Sequence, residues 1–358
     1  MSRTVQVKRN AITETRIVDL DQPPLGDGEV RLRIESFSVT ANNVTYAVVG
    51  DGFGYWNFFP GEGAWGVVPM WGHAVVAESR HPELAVGERV YGYLPMAETL
   101  DVLPDKVSAG GFVDAAAHRQ PMSPIYNQYA RLAADPEHDP ARESERMIFG
   151  PLFKTGFLIE SMMRREHWFG AAAVICTSAS SKTAMATASV ARDTSPQVKR
   201  IGLTSAGNVD FVRAGGFYDL VLAYDQVADL AQEAAVLVDF AGNAQVIHAV
   251  HTALGEKLKY SCTVGATHIG AGFGQDNGPL PGPAPVLFFA PHHAVAAIEE
   301  LGPKAFGAAV AASWTSFIGE AGGAVQIELR SGLEAAALAF VSMAEGKSDP
   351  AVGIVIRP

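Results

Sequence analysis

Only two of the 358 residues are cysteine, Cys176 and Cys262, which excludes a disulfide framework and a four-thiolate zinc site. Basic clusters are equally scarce, Lys199-Arg200 and Arg164-Arg165 being the densest. With 27 basic residues against 38 acidic ones, the net charge of −11 argues against nucleic acid or an anionic membrane as the partner. Apolar runs are short and broken, well under the roughly 18–20 residues that a membrane span needs. No apolar stretch follows Met1, since Ser2 to Thr15 is polar and mixed, so no signal peptide is expected. What is present is a chain 48% hydrophobic and 18% charged, which is ample for a buried core. At roughly 100–200 residues per domain, the length predicts two domains in a soluble, cytoplasmic protein.

The first third reads as β structure. Glu29 to Glu35 alternates strictly, with Val30, Leu32 and Ile34 on one face and charges on the other, the period of a half-buried antiparallel strand. The turn residues Pro23 to Gly28 precede it. Ala74 to Ala77 and the segment after Gly87 read as further strands. From about residue 147 the pattern changes to continuous apolar runs at 171–176, 201–204, 220–223, 235–240, 258–264 and 286–289. Continuous runs suit strands covered on both faces. Candidate helices lie between them at 183–191, 208–214 and 244–254. This rhythm predicts an α/β fold in which a β-rich domain is joined to a doubly wound parallel sheet of six strands. A helix is expected over 294–312, another over 332–344, and a last strand over 352–356. That strand would pair back into the first domain. His268 to Pro285, in which nine of eighteen residues are Gly or Pro, is expected to be a loop.

The turn Cys176-Thr177-Ser178-Ala179-Ser180-Ser181-Lys182-Thr183 ends the first run and opens a helix near Thr183. Unpaired N–H groups and partial positive charge at a helix start suit a pyrophosphate. The glycines of a G-x-G-x-x-G fingerprint are absent. Ser178, Ser180, Ser181, Thr183 and Lys182 are present instead as donors, and capping alone would also explain the serines. A phosphate-hydrolysing P-loop is disfavoured, because Cys176 and Ser181 stand where it needs glycine. At the end of the second run, Thr204, Ser205 and Asn208 bring no acid for ribose hydroxyls. With Arg213 or Lys182 for charge, they suit the 2′-phosphate of NADPH better than NADH, although ordinary turn residues read the same way. Thr155, Gly242, Gly265 and Phe289 fall where the nicotinamide half would lie, beyond the carboxyl ends of parallel strands. His73, and the pair His248 and His251, have no further ligand at a recognisable spacing, so no metal is expected. Gly50 to Trp65 holds six aromatics among five glycines and one proline. It reads equally as a satellite core and as the wall of a pocket for a flat, apolar ligand.

Together these segments resemble the medium-chain dehydrogenase/reductase superfamily, in its zinc-free, quinone-oxidoreductase-like branch. Pro24 to Ile34 is similar to its P-x-x-G-E-V opening and Gly87 to Gly92 to its G-D-R-V-x-G turn. Leu152 to Leu158 is similar to the helix between its domains, and Gly332 to Gly346 with Val352 to Arg357 to its closing helix and strand. The resemblance implies a GroES-like substrate domain over 1–146, with 313–358 returning to it, and a Rossmann dinucleotide-binding domain over 147–312. It implies a homodimer that reduces quinones or α,β-unsaturated carbonyls with NADP(H). Zinc-dependent members carry Cys near the position of Thr40 and Glu at Ala74, so zinc chemistry is not expected. For holding and protonating the product enolate, Tyr46, then Asn43, with Tyr126, are the candidates, each equally able to pack as a structural residue. The alternative is a non-catalytic or ligand-binding descendant of the fold, and metal-free ketone reduction is a third reading.

Overall fold

The computed structural model describes residues 1–120, 122–230, 233–264 and 280–358. The chain forms two compact units: Met1–Ile148 with Ile327–Ser348 and Val352–Pro358, and Phe149–Gln326 with Asp349–Ala351. It passes from the first to the second within helix Glu143–Arg165. Position 313 falls inside helix Pro303–Ala324, and the chain re-enters the first unit at Ile327.

The first unit is built on antiparallel strands. Val30–Val39 pairs with Pro69–Ser79, with Thr99–Val102 and with the last strand, Val352–Arg357, where Ile354 lies opposite Val39. Val30, Leu32 and Ile34 are buried as their alternation requires. Arg31, on the face expected to be charged and solvated, is buried too. Its guanidinium donates to both Asp101 oxygens (2.7 and 2.8 Å) and to the Pro23 carbonyl (2.7 Å). The strands on either side place Asp101 and Glu78 directly across from it, so the charge is paired rather than hydrated.

Among the described residues the second unit holds six parallel strands: β1 (Ala173–Cys176), β2 (Lys199–Thr204), β3 (Leu220–Ala223), β4 (Ala235–Asp239), β5 (Leu258–Thr263) and β6 (Val286–Leu287). Their order across the sheet is 3-2-1-4-5-6. Helices Lys182–Thr194, Val209–Ala214 and Ala244–Leu254 follow β1, β2 and β4. The central apolar runs become strands buried on both faces, with Val174, Ile175, Val236, Leu237 and Val238 0–1% exposed, whereas β6 at the sheet edge is not covered, Val286 and Leu287 being 49% and 48% exposed. The order reverses between β1 and β4, and there the two connections leave in opposite directions. Such a switch point opens a crevice beyond the strand ends.

The helix expected over 294–312 is two helices, Ala290–Leu301 and Pro303–Ala324. Gly302 takes φ +76°, and Pro303 has no N–H to continue the first helix, so the chain turns there. Most of the loop expected over 268–285, with Gly265, lies outside the described residues.

Before β1 the backbone is strained. His167, Trp168, Phe169 and Gly170 take φ between +50° and +75° in succession. Trp168 is buried, its Nε1 donating to Ser195 Oγ at 3.1 Å, and Phe169 stacks on Tyr260 at 4.1 Å. Those contacts hold a left-handed turn that costs about 1–2 kcal/mol per non-glycine residue. His167 is exposed and makes no such contact. Replacing His167 with Gly is expected to stabilise the protein by about 1 kcal/mol in thermal denaturation followed by circular dichroism. A stability that is unchanged or lower would contradict the strain assignment.

Candidate functional site

Within the second unit, β1 runs into helix Lys182–Thr194 through five residues, and the backbone of Ser178 takes φ +47°. That bend is open to glycine without cost and strained for serine. Two tyrosines brace it. The Ser178 N–H donates to Tyr224 Oη (3.0 Å), and Tyr218 Oη donates to the Ala179 carbonyl (3.1 Å). Gly202 on β2 lets the bend pack down, since a Cβ there would lie 2.9 Å from Ala179 Cβ. Ser181 caps the helix, accepting from Ala184 N at 3.3 Å. The amides of Lys182 and Thr183 then stand at the helix start without an intrahelical acceptor.

The other sequence candidates distribute around this turn. Asn208 Nδ2 donates to Ser180 Oγ at 3.2 Å, joining the connection after β2 to the serine turn. Thr204 is buried at the end of β2, and Ser205 is exposed beside it. Lys182 is half-buried, and its Nζ reaches the Pro350 carbonyl at 3.3 Å. Burial pushes this amine down to about 8, partly offset by the charge of Asp349. Thr155 lies on helix Glu143–Arg165 beside Gly156. A Cβ at Gly156 would lie 3.0 Å from the Thr183 carbonyl, so that helix rests on the start of the next. Arg213 is exposed and donates to the Val221 carbonyl at 3.4 Å, with no contact to the turn among the described residues. Gly242 follows β4 with φ +67°. Phe289 precedes helix Ala290–Leu301, its ring 4.9 Å from His292.

The enolate-holding candidates lie in the first unit. Thr40 caps helix Ala41–Val48, and Asn43 is engaged by the chain itself: Oδ1 accepts from Thr40 N (2.7 Å) and Nδ2 donates to the Pro69 carbonyl (2.8 Å). Tyr46, on the same helix, accepts at Oη from Asn42 Nδ2 (2.6 Å) and Trp71 Nε1 (3.2 Å). Tyr126 shares a hydrogen bond with Tyr55 at 3.0 Å, and its ring lies 6.3 Å from that of Tyr46. Tyr93, wholly buried, packs at 5.5 Å from Tyr46 and 4.9 Å from Tyr126, and its hydroxyl meets no partner among the described residues. Tyr46 and Tyr126 are thus brought together, while Asn43 is placed to hold the helix. Burial holds Tyr46, Tyr55, Tyr93 and Tyr126 above the ordinary phenol range, so their hydroxyls stay protonated as donors. The aromatic segment after Gly50 is divided: Tyr55, Phe58 and Phe59 join this cluster, Trp56 enters the main core and Phe53 is exposed.

Arg119 sets the loop that carries Tyr126. Wholly buried, it pairs with Asp114 (2.9 Å) and donates to Asn127 Oδ1 (3.0 Å), Tyr129 Oη (2.8 Å) and the Tyr126 carbonyl (2.7 Å). The rings of Phe58 and Phe59 face its guanidinium at 5.5 and 5.2 Å.

Of the three histidines weighed as ligands, His73 and His251 are packed residues and His248 is half-buried. His251 is buried, with Nδ1 against the Pro281 carbonyl (2.8 Å) and Nε2 against Ser261 Oγ (3.0 Å). His73 is buried beside Tyr91, and burial pushes it down to about 4. Among the described residues no three His, Cys, Asp or Glu side chains gather as metal ligands would. The list drawn from sequence missed Tyr55, Tyr93, Tyr218, Tyr224 and the pair Thr177 and Asp239. For Tyr55 the aromatic run was a signal; for the others only the fold supplies the contact.

Residues 37–349 match the model of the DUF2855 family, described as a protein of unknown function. The chain belongs to the DUF2855 family. No curated protein matches this DUF2855 member in sequence. Among solved structures it is similar to CurA from Vibrio vulnificus, with 15% identity over 100% of this chain and 98% of that one and a TM-score of 0.60. It is similar also to the CurK enoyl reductase, with 14% identity over 99% of both chains and a TM-score of 0.54. The yhdH oxidoreductase from Salmonella enterica, solved in complex with NADP, is 12% identical over 99% of both chains with a TM-score of 0.55. CurA has likewise been solved in complex with NADPH. The shared feature is the fold, a GroES-like β-rich domain with a Rossmann sheet, as in the medium-chain dehydrogenase/reductase superfamily.

Substituting Met for Arg119 leaves Asp114 buried without its partner. A loss of about 3–5 kcal/mol in denaturant unfolding is expected, and a loss below about 1 kcal/mol would show that the pair does not hold the Tyr126 loop.

Proposed function

We infer that this DUF2855 protein is an NADPH-dependent, zinc-independent reductase of quinones or α,β-unsaturated carbonyls. The observation that carries the reading is the serine turn at the switch point of a 3-2-1-4-5-6 parallel sheet, with the amides of Lys182 and Thr183 at the helix start that follows it. These groups fit a diphosphate: the amides await acceptors, and the helix start favours negative charge. Thr204, Ser205 and Asn208 offer hydroxyls and an amide where an acid would repel a 2′-phosphate, and Lys182 lends charge. Solved relatives of the fold bound to NADPH or NADP agree with this choice. When bound, NADPH supplies the hydride. Thr155, Gly242, Gly265 and Phe289 are proposed for its nicotinamide half.

Tyr46 is proposed to donate a hydrogen bond to the acceptor's carbonyl oxygen as negative charge develops there, with Tyr126 beside it; Asn43 holds the helix that carries Tyr46. Because burial keeps both phenols protonated, they act as donors rather than bases. Thr40 and Ala74 stand where the zinc-dependent relatives of the fold carry Cys and Glu, hence the metal-free assignment. A homodimer in the cytoplasm, acting on a small apolar or aromatic carbonyl compound, completes the reading. One observation favours a non-catalytic binding protein instead: Tyr224 and Asn208 already occupy the Ser178 amide and the Ser180 hydroxyl.

Two measurements test the proposal. NADPH consumption, read as loss of reduced-nicotinamide absorbance with a panel of quinones and enones, is expected for the wild type and reduced about 10²-fold by Tyr46→Phe. No consumption with any acceptor, alongside intact NADPH binding, would favour the non-catalytic reading. Burial holds the Lys182 amine at about 8, so its positive charge is progressively lost as pH rises through that value. NADPH affinity is therefore expected to weaken as pH rises from 7 to 9, and Lys182→Met to bind about tenfold more weakly at pH 7 with that pH dependence lost. An unchanged pH dependence in the variant would remove Lys182 from the site.

A further inference from the structure

The two turns that border the switch point are tied by one buried carboxylate. Asp239 ends β4 and is 0% exposed. Its Oδ1 accepts from Thr177 Oγ1 at 2.5 Å, and its Oδ2 accepts from Gly242 N at 2.8 Å. Thr177, the first residue after β1 and also 0% exposed, accepts in turn at Oγ1 from Phe240 N at 3.0 Å, and its own N–H donates to the Val238 carbonyl at 3.1 Å. The Asp239 carbonyl accepts from Val264 N at 2.8 Å, where the chain leaves β5.

All but the Gly242 contact, which lies within the turn after β4, cross from one strand end to another. The hydroxyl of Thr177 is both donor and acceptor between the β1 and β4 turns, and the carboxylate then fixes Gly242 in its left-handed conformation. An ordinary strand end needs neither. Backbone pairing alone would leave both turns free to spread, because β1 and β4 send their connections to opposite sides. The next residue along from Thr177 is Ser178, whose bend sets the direction of every amide up to Thr183.

We propose that Asp239 and Thr177 are positioning residues for the dinucleotide, clamping the two turns so that the serine-turn amides and the Gly242 backbone keep a fixed separation across the crevice. The inference rests on the reading of that crevice as the NADPH site. Neither side chain touches the ligand, and both act through the backbone they hold.

Thr177→Val keeps the shape and removes the hydroxyl, leaving the Asp239 carboxylate and Phe240 N without that partner. Thr177→Ser restores the hydroxyl without the methyl group. NADPH dissociation constants are measured by isothermal titration on the full chain, at a temperature where circular dichroism shows each variant folded. The expected result is at least about tenfold weaker binding for Thr177→Val and for Asp239→Asn, with Thr177→Ser within about threefold of wild type. A lower melting temperature for Thr177→Val with wild-type affinity would assign the clamp to stability alone and overturn the inference. Equal losses in Thr177→Val and Thr177→Ser would also overturn it, by removing the hydroxyl as the cause. Failure of the wild type itself to bind NADPH overturns the reading of the crevice and the inference with it, whereas the other two outcomes leave that reading standing.

Discussion

Strand Ala173–Cys176 has to end and re-form as the helix from Lys182 within five residues, and the chain manages this by holding Ser178 in the left-handed region. Glycine would take that conformation freely; serine has to be held there. The tyrosine hydroxyls at 218 and 224 hold it from the side of β3, and the absence of a side chain at Gly202 makes room for Ala179 and the Tyr218 ring. What the second unit offers a ligand follows from that constraint. The bend aims the helix start outward, leaves two amides unshared, and sets Ser181 as a cap rather than a donor. In this turn, side-chain support stands in for the backbone freedom that glycine would give.

The first unit solves a different problem, that of placing polar hydroxyls inside an aromatic core. Tyr46 and Tyr126 belong to segments with no regular pairing between them. One is carried by a short helix capped at Thr40, the other by a loop built around the buried Arg119–Asp114 pair. A buried ion pair contributes little net stability compared with apolar packing, but it defines one geometry because every donor needs its acceptor. Arg119 reaches four acceptors of four different residues, so the loop carrying Tyr126 has little freedom to shift.

Much of this was legible in the residues. Parallel strands buried on both faces advertise themselves as unbroken apolar runs, and all six runs became strands in the expected sheet, although the edge strand Val286–Leu287 is half-exposed. Alternation located Val30 to Ile34 equally well. Where reading failed, a partner distant in sequence had taken over. Arg31 looked solvated because nothing local says that Asp101, 70 residues on, will cover it. Gly302-Pro303 breaks the helix expected there, because Gly302 takes a positive φ and Pro303 has no N–H to continue the first helix. The serine turn between a strand and a helix was readable from the residues, while Tyr46 was placed only by the family resemblance. Tyr224 on Ser178, and Thr177 against Asp239 across 62 residues, were not readable, since those contacts exist only once β1, β3 and β4 lie in one sheet.

A crystal structure of the protein soaked with NADPH tests most directly whether the serine-supported bend receives a dinucleotide. Diphosphate density against the amides of Lys182 and Thr183, with the 2′-phosphate beside the Lys182 amine, is the expected result. Unchanged contacts of Tyr224, Asn208 and Lys182, with the turn closed on itself and the nucleotide elsewhere or absent, would contradict it.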